Sequence, residues 1–175
     1  MNSPDIKTTR TLLRRYKDSD LDKFVLLFTD KEINHFMGGQ HCETKEDAEA
    51  LFYKGFEIYN GLFPDRHFEI WAIEHDDELI GHFELKQTNH TTENELEIVY
   101  MLDREFWGQG IMPEVINEVN KYSSGFDKQL IATINPENIR TVKALKKTNI
   151  EKEEWTDDED GKVFKVWLRK YHPEV

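Results

Sequence analysis

The stretch that most constrains the fold runs from Tyr100 to Met112 and reads YMLDREFWGQGIM. It begins as the end of a hydrophobic strand, turns through polar residues, and passes Gly108 and Gly110 before a predicted helix start. Glycine lets a backbone adopt positive φ and approach a bound group, and free N–H groups at a helix start bind anions such as pyrophosphate. The stretch therefore predicts either an anion-binding loop or a simple tight turn.

Two familiar phosphate-binding motifs do not fit this stretch. Counting from Gly108, the sixth position is Pro113 instead of the third glycine of the dinucleotide fingerprint. No Gly-Lys-Ser/Thr follows the glycines, which excludes a P-loop. Pro113 instead suits the first turn of a helix, where N–H groups have no intrahelical partner.

Length and charge narrow the class of protein. We expect one domain over residues 1–175, long enough to bury a hydrophobic core. The formal charge of −12 argues against general nucleic-acid binding and favours cationic partners, amines included. The longest aliphatic or aromatic run, residues 24–28, is too short to span a membrane, and the first residues contain no apolar signal segment. A cytoplasmic location is therefore expected.

The sequence gives no strong sign of a metal site. Cys42 is the only cysteine, so no intrachain disulfide can form. His35 and His41 lie near it, but no fourth ligand is suitably spaced, and we expect a mobile loop near a substrate entrance instead. The acidic run 157–160 before Gly161 is not a calcium loop, because threonine and tryptophan would occupy the first and last ligand positions. It is predicted to be a solvated turn.

Hydrophobic periodicity predicts a strand, two helices, a three-stranded meander, a helix, a strand, a helix and a hairpin. The predicted strands span 9–16, 67–74, 78–87, 95–102, 129–134, 150–155 and 162–171. The predicted helices follow residues 20, 47, 110 and 138, and the third of them turns Val115, Ile116, Val119 and Tyr122 inward. The fold class is therefore mixed α/β, with one sheet flanked by helices.

Two segments carry a resemblance to a known family. Residues 97–112 resemble the acyl-CoA motif of the GNAT superfamily of N-acetyltransferases, and residues 138–147, NIRTVKALKK, resemble its Asn-x-x-Ser-x-Arg-x-Leu-x-Lys helix. The element order and the opening strand around Arg14 extend the similarity, specifically to the ribosomal-protein-alanine N-acetyltransferase-like branch. The resemblance implies a GNAT fold, with a single mixed, mostly antiparallel sheet splayed at its centre. It also allows a homodimer.

Several positions depart from the family pattern. Trp107 replaces the usual Gln or Arg of the pyrophosphate loop, and Met112 replaces its last small residue. Asn149 and Ile150 replace the Gly-Phe pair after the second motif. Leu145 stands where many relatives carry a tyrosine that acts as a general acid, and leucine cannot donate a proton. A non-catalytic acyl-CoA-binding protein of the same fold is therefore the alternative.

The resemblance implies that acetyl-CoA is the acyl donor. The residues expected to bind it are Met101, Leu102, Trp107, Gly108, Gln109, Gly110, Ile111, Met112, Asn138, Arg140 and Lys143. Trp107 could equally be a core residue, and Asn138 could be only a helix cap. Arg140, Lys143 and Lys147 share one helix face, which suits either the 3′-phosphate of CoA or solvent.

Acetyl transfer to a primary amine, of a protein N-terminus or a small molecule, requires a neutral amine and donors for the carbonyl oxygen. The backbone near Tyr100 and Met101 is expected to supply those donors. Glu97 is the expected base, by resemblance to the strand that carries a glutamate base in histone-acetylating relatives. A structurally paired Glu97 is the alternative, and His82 and Glu84 on the neighbouring strand are reserve candidates.

Overall fold

The structure is a computed structural model that describes residues 3–37, 42–158 and 161–172, without the side chains of 157, 158 and 162. Its helices are α1 (Leu21–Thr29), α2 (Lys31–Asn34), α3 (Lys45–Tyr59), α4 (Ile111–Ser123) and α5 (Ile139–Leu145). Its strands are β1 (Ile6–Lys7), β2 (Leu12–Arg14), β3 (Phe68–His75), β4 (Glu78–Lys86), β5 (Glu95–Leu102), β6 (Gln129–Ile134), β7 (Ile150–Asp158) and β8 (Gly161–Leu168).

Within these ranges, eight strands form one sheet in the order β1-β2-β3-β4-β5-β6-β8-β7. Every neighbouring pair is antiparallel except β5 and β6. The parallel register runs only from Glu95 opposite Gln129 to Glu97 opposite Ile131, although both strands continue beyond it. The prediction of a single, mostly antiparallel sheet that is splayed at its centre is therefore confirmed.

The opening strand is shorter than predicted because a turn interrupts it. The Thr8 amide donates to the Thr11 carbonyl at 2.8 Å, and the two hydroxyl groups lie 2.9 Å apart. This turn separates β1 from β2, so only Leu12–Arg14 of the predicted residues 9–16 form a strand.

The helix predicted to reach residue 147 ends at Leu145 instead. The Lys147 amide donates to the Ala144 carbonyl at 3.1 Å, a tighter turn than that of an α-helix. The last strand, predicted to reach residue 171, ends at Leu168.

The sheet buries a separate hydrophobic cluster on each face. α4 lies over one face, where Val115, Ile116 and Val119 are fully buried, as their spacing predicted. Residues of α1 and α3 form the second cluster on the other face. Because side chains alternate along a strand, Ile98 of β5 joins the first cluster and Met101 joins the second. The two faces of β5 therefore pack against different helix layers at the point where the sheet splays.

Five carboxyl groups with lowered pKa values predict acid-sensitive stability; they are Glu74, Glu84, Glu95, Asp103 and Glu114. Burial by itself raises the pKa of Glu84, but the His82 hydrogen bond and the His82 and Lys86 charges outweigh burial and lower it to about 2. A carboxyl with a lowered folded pKa contributes stability above its unfolded pKa, about 4.5 for glutamate, and loses that contribution as the pH falls.

We therefore expect the midpoint of thermal unfolding to fall as the pH drops from about 5 toward 2. Calorimetric scans across this range test the expectation. Glu84→Gln removes one of the five groups and should make the decline shallower. An equally steep decline in that variant would show that Glu84 does not contribute.

Candidate active site

The main cleft opens beside the C-terminal half of β5, between the start of α4 and one face of α5, with a volume of about 530 Å³. All but one of the residues predicted to bind the cofactor line it, together with Tyr100: Met101, Leu102, Trp107, Gly108, Gly110, Ile111, Met112, Asn138, Arg140 and Lys143. Gln109 lies outside this lining, and its side-chain amide donates to the Glu105 carbonyl at 2.7 Å. The sequence motifs, which are far apart in the chain, thus meet at one cavity.

Backbone direction along β5 decides which groups face this cleft. The Asp103 amide donates to the Ile80 carbonyl at 2.8 Å, toward β4. Because directions alternate along an antiparallel ladder, the N–H and C=O of Met101 also face β4, and those of Tyr100 face the gap. A Cβ on Gly81 of β4 would lie 2.6 Å from the Met101 carbonyl oxygen, which agrees with this direction. Contrary to expectation, the Met101 backbone is therefore turned away from the cleft.

The glycine loop, residues 107–110, places the start of α4 beside the cleft. Gly108 and Gly110 have φ values of 76° and 78°, so both use the left-handed region that favours glycine. Gly110 is the N-cap of α4, and no side chain caps the helix there. The amides of Ile111 and Met112 belong to the first turn, where N–H groups have no intrahelical partner. This arrangement suits a bound anion.

Arg10 supports the same loop from the N-terminal segment. One guanidinium nitrogen donates to the Gln109 carbonyl at 2.9 Å, and Nε pairs with Glu114 of α4 at 2.9 Å. This contact places a positive charge beside Gly110. Sequence reasoning missed Arg10, because nothing in its local pattern distinguishes it from any other arginine near a strand.

Trp107 connects the glycine loop to β5 and α5. Its indole N–H donates to the Leu102 carbonyl at 2.7 Å, which occupies a backbone group predicted to meet the cofactor. The Arg140 guanidinium lies 3.6 Å from the centre of the Trp107 ring, a cation–π contact between the loop and α5. The same guanidinium lies 3.7 Å from Glu32 of α2. Trp107 is therefore held by its neighbours on two sides.

α5 presents its polar face to the cleft. Asn138 caps the helix, with its Oδ1 accepting the Thr141 amide at 3.2 Å, which leaves its Nδ2 to donate elsewhere. Lys143 and Lys147, the second of which lies beyond the end of α5, are exposed and line the cleft with Arg140, and their contact with the 3′-phosphate of CoA stays a prediction.

Leu145 lies on the buried side of α5 and is 1% exposed. The position of the family's tyrosine is therefore in the hydrophobic core of this protein. Tyr100 is the phenol at the cleft; burial raises its pKa, and its buried hydroxyl has no hydrogen-bond partner among the described residues.

A side cleft of about 430 Å³ adjoins the main cleft, and the two share Phe36, Met37, Tyr100, Asn138 and Thr141. Glu97 lines the side cleft and is 4% exposed. Both of its carboxylate oxygens are engaged, one by Thr88 and the other by Thr133. The role of Glu97 as a base stays a prediction, and its carboxylate is structurally paired, as in the alternative that the sequence left open.

His82 and Glu84, the reserve candidates for the base, line an aromatic pocket of about 440 Å³ below α1 and α3, which shares Lys86 with the side cleft. One nitrogen of His82 bonds to the Tyr16 hydroxyl at 2.6 Å and the other to Glu84 at 3.0 Å. The Lys86 ammonium lies 2.5 Å from the second Glu84 oxygen. Since the pKa of Glu84 is lowered to about 2, its carboxylate is a weak base near neutral pH.

Cys42 is buried and also lines the aromatic pocket. Burial raises the pKa of its thiol, which disfavours the reactive thiolate. Residues 38–41 of the predicted loop 35–42, His41 among them, lie outside the described residues. In the described ranges, the helices are too short or too polar to cross a bilayer.

The sequence matches the family model of the acetyltransferase (GNAT) domain over residues 10–151. Similar solved structures include a GNAT-family acetyltransferase from Bacillus anthracis, at 17% identity and a TM-score of 0.74, covering 94% of this chain and 96% of that one. Mycobacterium smegmatis RimJ in complex with CoA-disulfide has 15% identity and a TM-score of 0.78, with coverage of 96% and 90%. Spermidine N-acetyltransferase from Vibrio cholerae, in complex with CoA and spermine, has 18% identity and a TM-score of 0.73, with coverage of 93% and 96%.

At these identities the structural likeness shows a common fold. The family match extends over most of the chain and includes β5, the glycine loop and α5. The chain therefore belongs to the GNAT family of acetyltransferases.

Proposed function

We propose that this protein transfers an acetyl group from acetyl-CoA to a primary amine at the junction of the main and side clefts. One observation carries the proposal: the β5–β6 pairing stops at Glu97, beside a helix start that has no side-chain cap. Unpaired strand groups and free helix N–H groups therefore face one cavity. A thioester attached to a diphosphate-bearing carrier needs both kinds of donor.

The start of α4 would hold the pyrophosphate of CoA. The amides of Ile111 and Met112 point along the helix axis, where the dipole favours negative charge. The Arg10 guanidinium, which is paired with Glu114, lies beside the loop, and Arg140 and Lys143 add positive charge from α5. These cations stand out on a chain whose formal charge is −12. They suit the phosphates of CoA rather than a cationic ligand.

The gap between β5 and β6 would hold the pantetheine arm and the acetyl group, which CoA supplies as a reactive thioester. The Tyr100 amide faces this gap, as an oxyanion donor must. The Nδ2 of Asn138 is the second donor available to a pantetheine amide.

The acceptor amine would approach through the side cleft, which meets the main cleft at Tyr100. Attack requires a neutral amine, so a base or a water molecule must remove its proton. Direct attack needs no covalent enzyme intermediate, and the buried Cys42 is not required. The Vibrio cholerae relative was solved with spermine, and a protein N-terminus or another small amine is equally compatible with the side cleft here.

A non-catalytic acyl-CoA-binding protein is the second candidate function. It is favoured by Leu145, which places a buried leucine at the position of the family's tyrosine acid. Such a protein would bind acetyl-CoA but would not transfer the acetyl group. Release of CoA in the presence of any amine would exclude it.

Calorimetric titration with acetyl-CoA, CoA and ATP tests the binding step. Micromolar binding of acetyl-CoA without a response to ATP is the expected result. A thiol-release screen of small amines and N-terminal peptides then tests turnover. Absence of acetyl-CoA binding would remove the basis of the proposal.

Substitution of Gly110 by alanine should weaken acetyl-CoA binding by about tenfold or more, equivalent to about 1.4 kcal/mol. Its φ of 78° is costly for a residue with a Cβ, so the N-terminal amides of α4 would be displaced. The matched control is Gly61→Ala, since Gly61 has a φ of 88°, has open space around it and does not line the main cleft.

Both variants should lose about 1–2 kcal/mol of stability from backbone strain. Only Gly110→Ala should lose affinity in the calorimeter. Equal affinities for the two variants would mean that the glycine loop does not hold the cofactor.

A further inference from the structure

Glu97 lies where the pairing between β5 and β6 ends. Its backbone belongs to the last residue pair, opposite Ile131. Its side chain is almost fully buried and accepts hydrogen bonds from the Thr88 hydroxyl, the Thr133 hydroxyl and, at 3.2 Å, the Thr133 amide. A side chain thus bonds to the backbone of the neighbouring strand at the point where strand-to-strand bonding stops.

The register shows what the Thr133 amide would otherwise do. The Gln129 amide of β6 donates to the Asn94 carbonyl at 2.9 Å, just before β5. In a parallel ladder, every second residue repeats this bond two positions further along both strands. The Ile131 amide would then donate to the Leu96 carbonyl, and the Thr133 amide would donate to the Ile98 carbonyl. In the structure, the Thr133 amide donates to the Glu97 carboxylate instead.

We propose that Glu97 is a positioning residue whose carboxylate takes the Thr133 amide out of the ladder and so holds the gap between β5 and β6 open. The inference rests on the proposed acetyl-CoA site, because the gap is the place assigned to pantetheine. Thr88 anchors the other carboxylate oxygen to the segment that follows β4. The carboxylate is therefore fixed between three parts of the chain.

The open gap determines which backbone groups a cofactor can use. If the ladder continued, the Ile98 carbonyl would accept the Thr133 amide, and the Tyr100 amide would donate to the Thr133 carbonyl. With Glu97 in place, both β5 groups are left for a ligand. The carboxylate thus acts on the acetyl group through the Tyr100 amide, without touching the acetyl group itself.

Two variants of Glu97 separate positioning from proton transfer. Glutamine keeps an oxygen that accepts from Thr133 and gains an amide that donates to the Thr88 hydroxyl, so it preserves the geometry and removes the basic group. Alanine removes both the hydrogen bonds to Thr88 and Thr133 and the basic group. The measurements are the Kd for acetyl-CoA by calorimetry and the dependence of kcat on pH.

If Glu97 positions the strands instead of serving as the base predicted from the sequence, Glu97→Gln keeps the Kd within about twofold and kcat within about fivefold, with the pH profile unchanged. Glu97→Ala raises the Kd by about tenfold or more. The proposal is overturned if Glu97→Ala binds acetyl-CoA like the wild type. It is also overturned if Glu97→Gln loses more than about tenfold in kcat and changes the pH profile at unchanged Kd, because that result identifies a base.

If Glu97→Ala does not fold, Thr133→Val carries the test, because at nearly constant shape it removes the Thr133 hydroxyl that helps to hold the carboxylate against the Thr133 amide. Its Kd should rise by about threefold or more, and an unchanged Kd would overturn the proposal. Amide hydrogen exchange without ligand separates this inference from the proposed function. The Tyr100 amide should exchange faster in the wild type than in whichever of these two variants folds, whether or not the protein binds acetyl-CoA.

Discussion

Replacing Arg14 with methionine should lower the free energy of unfolding by about 3–5 kcal/mol. The Arg14 guanidinium is nearly fully buried and donates to the two oxygens of Asp20 at 2.7 and 2.9 Å. Its Nε also donates to Glu74 of β3. Methionine has a similar length but no charge, so Asp20 would keep only the Lys17 amide and Glu74 only the exposed Lys17 ammonium, 3.2 Å away. The cost is the incomplete compensation of two buried charges and not only the loss of the ion pairs themselves.

Urea denaturation followed by tryptophan fluorescence measures the loss. Arg66→Met is the matched control, because Arg66 is exposed and the same chemical change there should alter stability by less than about 0.5 kcal/mol. A loss below about 1 kcal/mol for Arg14→Met would mean that the carboxylates find water or other partners.

Gly81→Ala is expected to lower the free energy of unfolding by about 2–3 kcal/mol and to weaken acetyl-CoA binding as well. A Cβ on Gly81 would lie 2.6 Å from the Met101 carbonyl oxygen and 3.0 Å from a methyl carbon of Leu102. The first of these atoms is backbone, so β4 and β5 must separate to relieve the clash. That movement would shift Tyr100 at the edge of the main cleft.

The control for this prediction is Gly125→Ala, since a Cβ at Gly125 meets nothing within 4 Å. Thermal unfolding and acetyl-CoA titration of both variants give the result. If Gly81→Ala is as stable as Gly125→Ala, the sheet accommodates the methyl group. If it is destabilised but binds acetyl-CoA normally, the cleft does not depend on the spacing of β4 and β5.

Local pattern was sufficient for most of the fold. Apolar residues at helical spacing identified α4, with Val115, Ile116 and Val119 buried as predicted. The predicted break between the strands 67–74 and 78–87 is the β3–β4 turn, where Asp76 and Asp77 both have positive φ. Both signals come from residues that are close together in sequence, so they can be recognised without the tertiary structure.

Local pattern also located one side of the candidate site. Gly108 and Gly110 have the left-handed conformation that a glycine loop requires, and Asn138 caps α5 as its residue type allows. The basic face of α5 follows from helical spacing alone. Each of these predictions concerns a single element, so the arrangement of the other elements could not change it.

The sequence by itself therefore determined the elements, the glycine loop and the basic helix face. Only the tertiary structure decided the partners of Glu97, because Thr88 and Thr133 reach it from a loop and from a strand paired in parallel. It also decided that the Tyr100 amide faces the gap and the Met101 backbone does not, since this direction depends on the register with β4. Hydrogen bonds between distant segments follow from strand order and register, and neither property is encoded in the spacing of residues along one strand.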